Sequence, residues 1–303
     1  MTDTADHADS DLIGIVTVLF NSDDVLPGFF ESLARQRGVR YRLYVIDNSK
    51  TDSGCLISRE LSDKYGIDAE IVFNDANLGV AKGNNQGIER ALRDGCEHVL
   101  LANNDIEFES ADLLRNLISQ MGERQLAAIV PKIYFYGVGR KIWFAGGQFS
   151  VLRATTPHFG EGEDDHGQYD SISVIDYAPT CFMFIRASVF QKIGRMDEKY
   201  FVYYDDSDFL WRMRLAGLPV GFSPQEIVLH KVSYSTGGGV SEFSLFYGAR
   251  NRIYFIRKHY SVFVSVLSLS LFFVSRVFKA ISLTSSQRAA MWRGIRDGLR
   301  LSV

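Results

Sequence analysis

Between Leu12 and Asp105 the sequence repeats one order: a short apolar run, a loop of Asn, Asp and Ser, then a stretch with helical periodicity. Alternation of this kind restricts the fold to an α/β architecture, a doubly wound, mostly parallel sheet with helices on its faces, and sets ligands at the carboxyl ends of the strands. The first run, Leu12 to Phe20, is nearly continuous in apolar and β-branched residues, as expected for a strand buried on both faces. Asn21-Ser22-Asp23-Asp24 then offers capping side chains before a periodic stretch that ends near Arg37. A second unit follows, with Tyr41 to Ile46 as strand, Asp47 to Asp52 as polar loop and Gly54 to Tyr65 as helix. Ala69 to Phe73 and Val99 to Ala102 add two more strands, separated by a helix from about Lys82 to Asp94. They end in Asn74-Asp75-Ala76-Asn77-Leu78-Gly79 and Asn103-Asn104-Asp105. Asn and Asp make ordinary turns, but several such loops at one sheet edge suggest a shared site.

With 303 residues, 46% of them hydrophobic, the chain is able to bury a sizeable core. A net charge of -3 gives no general electrostatic reason to expect nucleic acid as a partner. Cys55, Cys96 and Cys181 are far apart and match neither a zinc pattern nor a disulfide framework, so they read as reduced, cytosolic thiols. Residues 1–11 are polar and acidic, unlike a secretory signal, and read as a disordered lead-in. Gly79, Gly83 and Gly87 are four apart, which is neither the dinucleotide fingerprint nor a P-loop, although glycine would let a nucleotide approach the backbone there.

The second half holds strands at Ala128 to Tyr136 and Ile142 to Phe149, and then a Gly-, acid- and His-rich stretch from Thr155 to Asp170. That stretch lacks periodicity and reads as a mobile surface loop with His158 and His166 solvated. Cys181 lies in an apolar run with no cation nearby and reads as a core thiol. The densest acidic feature is Tyr203-Tyr204-Asp205-Asp206-Ser207-Asp208-Phe209, just ahead of a helical stretch to Leu215. Carboxylates packed so closely raise one another's pKa unless a cation, a donor or water offsets the cost. Gly221 to His230 is a strand, followed by a flexible glycine-rich loop. From Phe243 to His259 aromatic and basic residues alternate, and Val262 to Ser275 is apolar and uncharged. That last run is too short to span a bilayer, which needs about 20 residues. With Arg276 and Lys279 it fits either a helix lying at a membrane interface or one packed on protein.

Taken together, Val16–Asn21, Val45–Asp52, Asn77–Gly87, Leu101–Asp105, Tyr204–Phe209 and His230 resemble, in order and spacing, the motifs of inverting GT-A fold glycosyltransferases. The similar group is the family 2 type, including rhamnosyltransferases of cell-surface polysaccharide synthesis. The resemblance runs from about Leu12 to Tyr260 and implies a catalytic domain over 12–242 with a helical segment over 243–303. By position, it implies that Asp47 hydrogen-bonds a pyrimidine base and that Asn21, Asn77, Lys82, Asn85, Asn103 and Asn104 line the nucleotide. Asp105 matches the last acid of the family's Asp-x-Asp metal motif, whose first acid is here Asn103, and His230 matches a second metal ligand. Asp206 matches the catalytic base, and Asp205, in place of the usual Glu, borders the acceptor.

The implied chemistry is transfer of a sugar, rhamnose among the candidates, from a dTDP- or UDP-sugar to a glycan or lipid-linked acceptor, with Mn2+ or Mg2+ as cofactor. The implied setting is cytoplasmic, peripheral on the inner face of the membrane, with self-association left open. A non-catalytic sugar-nucleotide or glycan-binding module is the competing reading, and a dehydrogenase is disfavoured by the missing dinucleotide fingerprint.

Overall fold

The computed structural model describes residues 11–231 and 240–303. Residues 1–10 of the lead-in and most of the glycine-rich loop after His230 lie outside the described residues.

The first four strands and three helices alternate as expected: β1 (Leu12–Leu19), α1 (Leu26–Ala34), β2 (Arg40–Asp47), α2 (Ser53–Tyr65), β3 (Ala69–Phe73), α3 (Val80–Arg93) and β4 (His98–Ala102). There follow β5 (Ile106–Phe108), α4 (Leu113–Glu123), β6 (Ala128–Phe135), β7 (Ile142–Phe144), β8 (Val174–Ile175), β9 (Phe182–Arg186) and α5 (Ala187–Ile193). The chain closes with α6 (Asp205–Leu215), β10 (Val220–His230), α7 (Glu242–His259), α8 (Val262–Ile281) and α9 (Ser285–Arg300).

One sheet carries the molecule, in the order β3-β2-β1-β4-β9-β6-β10-β5, with β7 on β6 and β8 on β10. Its first four strands are parallel, β9 runs antiparallel to both neighbours, and β5 is antiparallel to β10. The buried run of β1 lies between β2 and β4, and its register opposes Leu19 to Asp47. The loops after β1, β2 and β4 therefore emerge along one edge.

The glycines of α3 have a packing explanation. A Cβ at Gly83 would meet the Val18 side chain, and one at Gly87 would meet Val16. Spaced four apart, both lie on one helix face, which settles directly onto β1. The expected backbone approach of a nucleotide is thus taken at these two positions by the sheet itself.

Two further expectations are corrected. Residues 155–170 are not a free surface loop: they form bridges Ser150↔Thr155, Gly147↔His158 and Lys141↔Asp164 to the preceding segment. They are pinned by Asp165, which accepts from buried Lys132 at 2.8 Å and is held well below the usual carboxylate range against the cost of its burial. His158 is correspondingly packed among Trp143, Phe144 and Tyr177, and burial depresses its pKa. The apolar C-terminal helix is also longer than its uncharged run. It continues through Arg276 and Lys279 to Ile281, 20 residues in all, which by length and composition suffices to cross a membrane.

The three C-terminal helices form a second apolar cluster, with Leu245, Ile253, Phe272, Met291 and Ile295 at its centre. Gly294 and Gly298 press α9 against the backbone of α7 at Phe246 and Arg250. These helices also reach into the sheet domain, as the site makes plain.

Candidate active site

Strand register brings Asp105 and His230 together from 125 positions apart in sequence. Antiparallel pairing of β5 with β10 sets His230 opposite Ile106, and the Lys231 amide donates to the Asp105 carbonyl at 2.9 Å. His230 Nε2 then lies 3.2 Å from Asp105 Oδ1. The direction is not that of a hydrogen bond: Asp105 Oδ1 and His230 Nδ1 are both buried without a hydrogen-bond partner among the described residues. Trp143 stands edge-on to the imidazole, 4.5 Å between centroids. A buried carboxylate oxygen left unsatisfied beside an imidazole fits a divalent cation, because oxygen and imidazole donors both suit Mn2+ or Mg2+. Among the described residues no third His, Cys, Asp or Glu joins them.

Asp105 lines a cavity of about 540 Å³ together with Asn77, Asn103 and Asn104. Its other walls include Phe20, Ser22, Asn48, Asn84, Phe201 and Phe243. Of these Asn48 and Asn84 fall in the quoted motifs without having been singled out, Phe243 opens the aromatic and basic segment, and Phe201 comes from a segment with no local signal. Asn104 donates to Ser22, and Asn48 donates to the Gly79 carbonyl at 3.1 Å while accepting from Asn74. An amide-lined cleft with aromatic walls can hold a flat base and its ribose without a charge of its own.

Four of the expected nucleotide contacts lie elsewhere. Asp47 is fully buried, with Oδ1 accepting from the Ser49 amide at 2.9 Å and Oδ2 facing Cys55 and Gly54 at the start of α2. Asn85 is engaged on both amide atoms by Met196 and by Glu198, which fastens α3 to the segment before the acidic cluster. Lys82 is exposed on α3. Asn21 is exposed in a left-handed conformation (φ 49°), its amide donating to Ser49 Oγ.

The acidic cluster is presented by an unusual backbone. Phe201, Tyr203 and Tyr204 all have positive φ, at 62°, 60° and 67°, a region costly for bulky side chains. Asn251, fully buried on α7, offsets that cost by donating to the carbonyls of Tyr200, Val202 and Tyr203 at 2.6–2.9 Å. From the other side the Val80 amide donates to the Phe201 carbonyl at 2.6 Å. Gly79 (φ 84°) makes that approach feasible, since a Cβ there would lie 2.5 Å from the Phe201 oxygen. Gly79→Ala is therefore expected to cost about 1–3 kcal/mol, read as a lower midpoint in urea unfolding; an unchanged midpoint would show that the clamp is loose.

Once presented, the three carboxylates meet different surroundings. Asp205 is buried, its Oδ2 has no partner, and burial followed by the charges of Asp206 and Asp208 pushes its pKa up to about 8. Burial pushes Asp206 up as well, but Tyr177 OH donates to its Oδ2 at 2.5 Å and the Ser207 amide to its Oδ1 at 2.6 Å, both of which favour the charged form. The pair shares one dry site, and the hydrogen bonds favour the charged form on Asp206, whereas Asp205, with Oδ2 unpartnered, has chiefly burial and like charge acting on it. Asp208 is fully buried and receives Arg212 Nε at 2.8 Å, Lys258 Nζ at 2.6 Å and His259 Nε2 at 2.7 Å, which hold it well below the usual carboxylate range. It is structural ballast for the first turn of α6.

Asp206 opens onto a second cavity, of about 450 Å³, with Tyr177, Tyr203, Tyr204 and Thr155 to Pro157 around it. Phe201 and Val202 face the first cavity and Tyr203 and Tyr204 the second, so this one strained strap separates them. Cys181 is buried, with burial and then the charges of Asp105 and Asp206 pushing its thiol up, which leaves it without thiolate character.

Comparison with known proteins bears on the family and the fold. The chain is 25% identical over 250 residues to the low-salt glycan biosynthesis hexosyltransferase Agl10 of Haloferax volcanii, covering 80% of this chain and 74% of that one. A shorter match, 32% over 74 residues, covers 24% of this chain and 27% of the rhamnosyltransferase WbbL of Escherichia coli. The mannosyltransferase PcManGT of Pyrobaculum calidifontis, solved with GDP-Man and Mn2+, superposes with a TM-score of 0.58 at 12% identity, over 97% of this chain and 87% of that one, and shares the GT-A fold. The sequence profile described as "Glycosyl transferase family 2" matches residues 14–194, more than half of the chain, and to that family of glycosyltransferases the chain belongs.

Proposed function

We propose that the chain is an inverting, metal-dependent hexosyltransferase, with the nucleoside diphosphate of the donor in the Asn-lined cavity and the acceptor in the cavity of Asp206. The observation that carries this reading is the division of labour among the acids. Asp105, with His230 beside it, lines one cavity, while Asp206, oriented by Tyr177 and Ser207, lines the other.

Asp105 and His230 would hold the divalent cation, which supplies charge neutralisation at the donor phosphates when bound. Asp206 accepts the proton of the acceptor hydroxyl as that oxygen bonds to the anomeric carbon, while the bond from that carbon to the nucleoside diphosphate oxygen breaks. A single displacement of this kind inverts the anomeric centre and requires no covalent intermediate. Asp205, buried and outside the lining of that cavity, has its pKa pushed up by burial and by the charge of Asp206, which disfavours a second negative charge there, so its role is on the acceptor side without direct proton transfer. Asn77, Asn103 and Asn104 would contact the nucleotide. Asp47, Asn85, Asn21 and Lys82 would support the loops that carry the donor.

Rhamnose from a dTDP- or UDP-donor is the proposed sugar, supported by the partial similarity to WbbL. A lipid-linked glycan is the proposed acceptor and the membrane face the proposed location, supported by the exposed apolar helix α8.

The test is donor turnover across a panel of nucleotide sugars, with and without chelator. Chelation and Asp105→Ala should each raise the donor Kd by about tenfold or more, equivalent to 1.4 kcal/mol, and full turnover in excess chelator would remove the metal from the mechanism. Product with retained anomeric configuration would remove the single displacement.

A further inference from the structure

Helix α8 carries its apolar residues outward. Val262, Phe263, Phe278 and Ile281 are 83%, 73%, 68% and 77% exposed, whereas Ser268 and Phe272 on the opposite face are fully buried. Beneath this stripe, at the Phe272 ring, two guanidinium groups converge: Arg252 of α7 lies 5.1 Å and Arg276 of α8 5.3 Å from its centroid. Lys279 follows one turn later on α8, and Arg153 stands close enough to interact with Arg252. Among the described residues none of these four cations is paired with a carboxylate; the side chains of Arg153, Arg252 and Lys279 make no hydrogen bond, and that of Arg276 reaches only Ser275 Oγ, at 3.3 Å. Arg252 Nε and the Tyr260 hydroxyl are in addition buried without a partner.

Like charges gathered at a partly dry site, with unsatisfied donors among them, are costly unless an anion completes the group. Burial, and then the charge of Arg252 on Arg276 and of Arg276 on Lys279, depress both groups. The site is also next to the chemistry. Tyr204, which lines the Asp206 cavity, interacts electrostatically with both Arg252 and Arg276.

We propose that Arg252, Arg276 and Lys279, with Arg153 and Tyr260, form a binding site for the phosphate head of a lipid-linked acceptor, whose hydrocarbon chain follows the exposed stripe of α8. The assignment rests on the acceptor side of the proposed function and specifies its chemical class. Charge complementarity and the apolar surface on the same helix favour a lipid phosphate over a soluble anion, and the adjacency to Tyr204 favours an acceptor over bulk headgroups.

The experiment uses the full chain and phosphatidylcholine vesicles doped with a polyprenyl phosphate, with the corresponding polyprenol, or with phosphatidylglycerol at matched charge. Partition onto the polyprenyl phosphate vesicles should exceed the other two by about tenfold, and Arg252→Gln or Arg276→Gln should each remove about that factor. UDP binding and the thermal midpoint report whether each variant is folded; Arg276→Gln, on the outer helix, serves if Arg252→Gln is not. Equal partition onto matched phosphatidylglycerol would reduce the site to general attraction by anionic lipid, and equally tight binding of inorganic phosphate would reassign it to a soluble anion; either overturns the proposal. Partition requires no sugar transfer. Selective partition without turnover would therefore sink the transferase mechanism alone, and turnover on a phosphate-free glycoside without selective partition would sink this site alone.

Discussion

Asp206→Asn is expected to lower sugar transfer by about 10²–10⁴-fold while leaving the donor Kd unchanged, because a positioned general base contributes about that much. The substitution is nearly isosteric, and the amide oxygen is still able to accept from Tyr177 OH or the Ser207 amide. What disappears is the ability to take a proton. Asp205→Asn is the internal control. Burial and the neighbouring charge of Asp206 push Asp205 toward its neutral form, so an amide is expected to change little in its charge. Measuring kcat, donor Kd and folded fraction for both variants separates base from bystander. If Asp205→Asn were the more damaging at neutral pH, the proton would have been placed on the wrong member of the pair.

The second large effect concerns stability. Asp208→Ala should cost about 3–5 kcal/mol, the usual penalty for breaking a buried ionic group by removing one partner. It strips the counter-charge from Arg212 and Lys258 and the acceptor from His259 in a fully buried position. The sign of the pH dependence follows from the depressed pKa. An Asp held below its unfolded value of about 3.9 contributes stability that is complete above that pH and is lost as pH falls toward the folded value. The gap between wild type and Asp208→Ala in urea unfolding should therefore be full at pH 7 and shrink below about pH 4. A gap that is small at pH 7, or that widens in acid, would contradict the ionised buried Asp208.

These two effects share one origin. Lys258 and His259 hold Asp208, and Asn251 holds the carbonyls of the strained strap ahead of it; all three lie on α7. The helical segment from 243 onward is thus coupled to the chemistry it follows in sequence. Its first helix anchors the acidic cluster, and its second brings Arg276 and Phe272 against Arg252 of the first.

Much of the fold was legible in the sequence because period and punctuation are local properties. The strand buried on both faces at β1 and the amide-rich loops that end β2, β3 and β4 could be read from neighbouring residues alone. The motif order also singled out Asp105 and His230, which the pairing of β5 with β10 brings together. The roles of Asp205, Asp206 and Asp208 were another matter. Their separation into neutral, oriented and ion-paired groups depends on Tyr177, Arg212, Lys258 and His259, up to 51 positions away from the residues they touch. The same limit applies to His158, which reads as solvated until the bridges across 141–164 enclose it.

By itself, then, the sequence determined the βα alternation, the edge at which its polar loops gather and the family those loops resemble, because hydrophobic period and turn chemistry act over a few residues. Only the tertiary structure decided which carboxylate keeps its proton, which asparagines face the cavity and which arginines lack a counter-ion. Electrostatics and burial are sums over everything nearby in space, and sequence distance does not report that neighbourhood.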